Sequence, residues 1–262
     1  MVETTYHIPG APHLALLADL HGRPYQAVVD SVRRHAPSMV CIAGDILYGS
    51  HPEDDRSPLD TQENVLPFLE SCTSLAPTFL SLGNHEWMLN EGDLERIRST
   101  GVVVLDNDYQ SITVEGQKIV IAGLTSGYVL SYRRFRATQD GTVRYPKKET
   151  AERRSQDKHS PDISWLADFC AEDGYKVILS HHPEAWPLIR DYPFSLCLAA
   201  HAHGGQWRIF GRGVFAPGQG FCPRWTRGVY EEKRLVVSAG LSNTASIPRL
   251  FNPTEVVYLE PL

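Results

Sequence analysis

The sequence predicts an α/β protein in which short buried strands are covered by helices. Two observations carry this prediction. Seven brief runs are wholly or mostly apolar, the pattern of a strand with no solvent face. Longer amphipathic stretches lie between them, and alternation of the two kinds implies a sheet sheathed by helices. The strands are expected at Leu14–Ala18, Met39–Ala43, Thr78–Leu82, Ile119–Ala122, Val177–Leu179, Leu196–Ala199 and Leu235–Ser238. Helices are expected from Pro24 to His35, Thr61 to Leu75, Gly92 to Ser99 and Pro161 to Cys170. Pro161 suits a first helical turn, with Ser160 before it as a cap. No repeat or low-complexity linker marks a boundary, so residues 1–262 read as one domain.

Two stretches fit no simple element. Residues 127–160 read as an insertion or lid loop, and within them Arg133–Arg154 holds eight Lys/Arg against three Asp/Glu, a local +5. Long structureless loops in compact domains are often functional. The second stretch, Gly204 to Tyr230, is rich in glycine and carries Trp207, Phe210, Phe215, Phe221, Trp225 and Tyr230.

Composition narrows the function classes. The 262 residues are 42% apolar and 21% charged, with a formal net charge of −6. These values exclude a disordered chain, a collagen and a coiled coil. A chain of this size buries roughly 70–75% of its unfolded surface, enough for a core without disulfides. No run approaches the ~18 apolar residues of a membrane span, and Met1–His13 lacks a basic start and an apolar stretch, so the cytoplasm is the default expectation. The five cysteines, Cys41, Cys72, Cys170, Cys197 and Cys222, show no C-x-x-C spacing and read as reduced thiols. Mild acidity speaks against a broad nucleic-acid surface.

The chemistry sits where strands stop. Leu14–Ala18 runs into Asp19-Leu20-His21, Met39–Ala43 into Gly44-Asp45, and Thr78–Leu82 into Gly83-Asn84-His85-Glu86. Val177–Ser180 runs into His181-His182-Pro183, and Leu196–Ala200 into His201-Ala202-His203. In open α/β sheets ligands bind at the carboxyl ends of strands. Imidazole and carboxylate together suit Mn, Fe, Zn, Ni or Co. The donors are too many for one tetrahedral site. Two cations sharing a carboxylate would use them all, and such a pair clamps both oxygens of an in-line displacement at phosphorus.

These blocks resemble the calcineurin-like metallophosphoesterase superfamily, whose pattern is D-x-H, G-D, G-N-H-[ED], a single His, then G-H-x-H. The run His203-Gly204-Gly205-Gln206 and the ending Ser238-Ala239-Gly240-Leu241 through Ile247-Pro248 resemble its YkuE/YaeI-type branch. The resemblance implies a four-layer α/β/β/α sandwich of two mostly parallel or mixed sheets flanked by helices. It implies two divalent or mixed-valence metal ions, one held by Asp19, His21, Asp45 and His203, the other by Asp45, Asn84, His181 and His201. Asp45 would be the bridge. A metal-bridging hydroxide would attack phosphorus in a phosphodiester or phosphomonoester, and His85 would serve the leaving oxygen.

The chain departs from the pattern at Ala200, where glycine is expected, and at Tyr48, where many relatives place an aspartate that orients the catalytic histidine. Glu86 or a backbone carbonyl is then left to orient His85. The expected partner is a small phosphorylated substrate, with no nucleic acid and no membrane span; oligomeric state is open. The basic run and the Arg208, Arg224 and Trp225 region would rim an anionic substrate, and Trp87 would line the pocket or fill core. The rival readings are a nuclease of the same superfamily and a non-enzymatic scaffold keeping the fold.

Overall fold

A computed structural model describes residues 1–48, 56–137, 160–244 and 247–262 of the protein. In chain order the first part comprises β1 (Val2–Ile8), β2 (Leu14–Leu17), α1 (Gln26–His35), β3 (Met39–Ile42), α2 (Pro58–Thr61), α3 (Val65–Thr73), β4 (Thr78–Ser81), α4 (Glu91–Arg98) and β5 (Val103–Leu105). The second comprises β6 (Asp108–Val114), β7 (Gln117–Leu124), α5 (Gly127–Ala137), α6 (Leu166–Ala171), β8 (Tyr175–Ser180), α7 (Trp186–Ile189) and β9 (Leu196–Ala199). Two short hairpins follow, β10 (Arg208–Ile209) with β11 (Arg212–Gly213) and β12 (Phe215–Ala216) with β13 (Gly220–Phe221). The chain then forms β14 (Gly228–Tyr230) and β15 (Leu235–Val237) and closes on β16 (Glu255–Pro261).

Two six-stranded sheets result, in the orders β1-β16-β2-β3-β4-β5 and β14-β15-β9-β8-β7-β6. Strands β2 to β5 are mutually parallel, as are β7, β8, β9 and β15. Antiparallel pairs β16·β2, β14·β15 and β6·β7 make both sheets mixed.

Side-chain alternation along the strands sets the layers. Leu14, Leu16, Met39 and Cys41 of the first sheet meet Ile119, Ile121, Val177, Leu179, Leu196 and Leu198 of the second in one buried cluster. The intervening Ala15, Leu17, Val40 and Ile42 face outward onto Val28, Val32, Phe68, Leu69, Leu94 and Ile97 of the helices. On the far side, Val120, Ile178, Cys197 and Ala199 pack on Leu166, Phe169, Trp186 and Ile189. The order is therefore helix, sheet, sheet, helix. Each large side chain buried this way contributes roughly 1.5–3 kcal/mol, and strands buried on both faces show why the sequence reads as unbroken apolar runs.

All seven expected strands form. Among the described residues of the two six-stranded sheets, five others, β1, β5, β6, β14 and β16, lie outside the sequence reading. The helix expected from Pro161 begins instead at Leu166. Asp162 Oδ1 accepts from the backbone N–H and hydroxyl of Ser164, a local turn that competes with the first helical turn. Within the expected insertion, Gly127–Ala137 is helical, with Val129 and Tyr132 buried on one face. Residues 138–159, with most of the basic run, lie outside the described residues. Among the described residues no helix is long and apolar enough to cross a membrane, and all five cysteines are free thiols.

Candidate metal centre

Pairing registers bring the strand ends side by side, with Leu17 beside Ile42, Ile42 beside Leu80, and Leu179 beside Leu198. Backbone bonds continue past the strands. Asp19 N–H donates to Gly44 C=O at 3.1 Å, His21 N–H to Asp45 C=O at 3.1 Å, and Ala200 N–H to His181 C=O at 3.0 Å. The turns are tight. Asp19, His21, Asp45, His201 and His203 all hold left-handed backbone, with φ between 45° and 60°. Such geometry costs a non-glycine residue about 1–2 kcal/mol and clusters at functional sites. Gly83 is required by contact: a Cβ there would lie 2.3 Å from Asp45 Oδ1.

Six of the seven expected ligand residues converge in two groups. Asp19, His21 and His203 form one; Asp45, His181 and His201 form the other, with donor atoms within 4.8 Å of one another in each. The seventh, Asn84, follows Gly83 directly and keeps its Oδ1 buried. His21 Nε2 lies 3.7 Å from Asp19 Oδ1 and 4.0 Å from Asp45 Oδ2, and His203 Nε2 lies 3.8 Å from Asp19 Oδ1. His181 Nε2 lies 3.0 Å from Asp45 Oδ2 and 3.2 Å from His201 Nδ1. Asp45 reaches both groups.

The backs of the rings fix their tautomers. His21 Nδ1–H donates to Leu47 C=O at 2.9 Å, and His181 Nδ1–H to Ala43 C=O at 2.7 Å. Each ring therefore turns its Nε2 inward, as metal-ligating histidines do. Arg249 Nη2 lies 3.1 Å behind His203 Nδ1.

The donor set fits cations on a further count. Both carboxylate oxygens of Asp19, His21 Nε2 and Asn84 Oδ1 are buried without a hydrogen-bond partner. Unpartnered buried acceptors are costly, and cations bound beside them would satisfy them. Electrostatics agree. Burial alone would raise the Asp19 and Asp45 carboxyls, but the charges of the surrounding histidines outweigh it and hold both below the usual range. Burial pushes His203 down to about 4, helped by His21 and Arg249, and pushes His201 well below its ordinary value. Against burial, the Asp45 carboxylate lifts His181 to about 10, so that proton must leave when a metal enters.

Glu86 does not orient His85. Its Oε2 accepts from Asp45 and Gly83 N–H, both at 2.8 Å, and its Oε1 from Leu47 N–H at 3.2 Å. It staples the turn after β3 to the turn after β4. Burial and the neighbouring Asp45 charge push its carboxyl up to about 7. His85 N–H donates to Asp45 Oδ1 at 2.8 Å, its Nε2 lies 3.8 Å from Asp45 Oδ2, and its ring meets His21 edge-on at 4.5 Å. The exposed Tyr48 ring stands 6.4 Å from it. Trp87 packs edge-on against Tyr132 at 4.6 Å in the helix-side core.

Three further residues belong to this region. Glu184, His182 and Arg249 contact the histidine half from behind; His182 follows a ligand in the strand-end pattern but stands outside the expected ligand set, and no local sequence pattern marks the other two. Arg224 and Trp225, expected at a substrate rim, both bond Glu231 Oε1, and Trp225 is buried. Arg208 donates to Gly204 C=O and Thr226 Oγ1.

The profile of the family described as calcineurin-like phosphoesterase matches residues 12–205. The chain belongs to this family. Its members are metal-dependent phosphoric ester hydrolases, and the matched span holds all seven expected ligand residues. The Caenorhabditis elegans protein F40B5.2 is 26% identical over 95% of this chain and 48% of its own length. Phosphodiesterase YaeI of Escherichia coli is 24% identical over 94% of this chain and 81% of its own length, in keeping with the branch read from the motifs. This chain thus spans about half of the first relative and about four-fifths of the second. The solved 5'-nucleotidase precursor of Thermus thermophilus shares the fold, with a TM-score of 0.51 and 16% identity over 94% of this chain and 54% of that one.

Proposed function

We propose that the protein is a dinuclear metal-dependent phosphoesterase acting on a small phosphorylated substrate. One observation carries the reading: oxygen and nitrogen donors from five strand ends converge, buried, with Asp45 between two groups and with Asp19, His21 and Asn84 donor atoms unpartnered. Asp19, His21, Asp45 and His203 would hold one divalent ion; Asp45, Asn84, His181 and His201 would hold the other. Bound cations there supply positive charge against a phosphoryl group and lower the pKa of water. Among the chain's own groups, Asp45 spaces the two sites. The Leu47 and Ala43 carbonyls keep His21 and His181 in the ligating tautomer. His85 sits a quarter exposed at the edge of the cluster, where burial holds its pKa below the ordinary value. A proton on its ring would pass to the leaving oxygen.

The test is metal analysis of purified protein after reconstitution with Mn²⁺, coupled to hydrolysis of an aryl phosphodiester and the matching monoester. The name of the YaeI relative makes the diester the first substrate to try. Two ions per chain and metal-dependent hydrolysis are expected. Fewer than one ion per chain would favour the scaffold reading. Salt-sensitive retention of single-stranded DNA would favour the nuclease.

A further inference from the structure

We propose that Glu184 is a positioning residue, which aims the inner nitrogen of His201 at the second cation and shares its carboxylate with His182. The proposal rests on the two-cation reading above. Glu184 Oε1 lies 3.2 Å from His182 Nδ1 and 3.6 Å from His201 Nε2. The two rings meet edge-on at 4.3 Å, and the three side chains form a cluster of their own behind the metal groups.

Proton bookkeeping gives the arrangement its sense. A carboxylate only accepts, so each ring nitrogen facing Glu184 carries the hydrogen. A neutral imidazole has one N–H, so the opposite nitrogens are bare. For His182 the bare atom is Nε2, and the Ser126 hydroxyl donates to it at 2.8 Å. For His201 it is Nδ1, which lies 3.2 Å from His181 Nε2. That atom of His181 is its inward one, because its Nδ1–H is committed to the Ala43 carbonyl. A cation beside these two inward nitrogens would take a lone pair from each. Glu184 thus stands 3.6 Å behind His201, on the side where a main-chain carbonyl bonds His21 and His181.

The surroundings are shaped to the carboxylate. Gly218, in the turn between β12 and β13, has φ +72°, and a Cβ there would stand 2.0 Å from Glu184 Oε1. The hairpin therefore closes directly onto the carboxylate, whose Oε2 is buried without a partner. At the other end of the relay, Ser126 N–H donates to Leu82 C=O at 2.9 Å. The end of β4 is so tied to the end of β9 through Ser126, His182 and Glu184. None of these three is in the expected ligand set.

The experiment is Mn²⁺ titration of the metal-free full chain by calorimetry, with electron paramagnetic resonance of the loaded protein, for wild type, Glu184→Ala, Glu184→Gln and Gly218→Ala. Outer partners of metal-bound histidines are worth about 10–100-fold in metal affinity. Wild type should bind two ions and show a spin-coupled pair. Glu184→Ala should keep one ion at wild-type affinity, weaken the other about 10–100-fold, and show the six-line signal of isolated Mn²⁺ at one equivalent. Glu184→Gln should fall between, since an amide oxygen accepts without charge. Gly218→Ala should weaken the same ion. Two ions at wild-type affinity in both Glu184 variants overturn the proposal. So does equal weakening of both ions, the mark of a general loss of structure. Fewer than two ions in wild type overturns the dinuclear reading itself, and this outcome is visible before any variant is made.

Discussion

From the first sheet come two carboxylates, an amide and a ring, in Asp19, Asp45, Asn84 and His21; from the second come three rings, in His181, His201 and His203. The oxygen-rich half is fixed from the main chain. Gly83 packs against Asp45, and Glu86 gathers three N–H groups from both flanking turns. The nitrogen half is fixed ring by ring from behind, by the Ala43 carbonyl, Glu184 and Arg249. The difference separates two jobs. One half supplies negative charge at set positions; the other supplies neutral donors whose tautomers are selected by outer partners. Neither sheet holds a complete set, so the centre exists only once the two sheets have packed.

The comparison is broken most severely at Asp45. Asp45→Asn removes a charge that reaches both groups. Bound metal should drop below one ion per chain, and hydrolysis should fall by about 10³-fold or more. Metal analysis beside a turnover assay checks this; retention of one tight ion would show that the halves bind independently. His85→Ala should leave metal content unchanged and lower turnover by about 10²–10⁴-fold, as for loss of a general acid. Wild-type turnover in that variant removes His85 from the mechanism.

Glu86→Ala strips three buried N–H groups of their acceptor, each worth about 1–3 kcal/mol. Thermal unfolding of the metal-free protein should move down by several degrees. No change would mean that the oxygen half needs no staple. The smallest effect sharpens the contrast through pH. His181 carries a proton up to about pH 10 in the metal-free chain. A metal must displace it, so affinity for the ion on the nitrogen half should rise by up to about tenfold per pH unit between about pH 7 and 9. Calorimetry in buffers of differing ionisation heat should record the released proton, and a flat profile would contradict it.

The sequence disclosed the strands that position the centre because they are buried on both faces and each runs straight into its donor residue. Edge strands β1 and β6 mix exposed and half-buried positions, a weaker signal. Strand β16 is buried but carries Glu255, a charge that argues against a core strand until Arg227, Thr4 and the Ala239 N–H are seen to satisfy it. Glu86, one of the two candidates for orienting His85, falls away for a similar reason. Its partners Asp45 and Leu47 lie about forty positions earlier, and proximity to His85 along the chain was no guide. Arg249 and His203 are 46 positions apart, beyond any local pattern.

The left-handed backbone at Asp19, His21, Asp45, His201 and His203 sets this chain's chemistry against its own conformational comfort. At each of these five places glycine would relax the main chain and delete a ligand together. A population screened for heat resistance alone, with hydrolysis never rewarded, should therefore drift toward glycine at these positions, and its hardiest survivors would be inert.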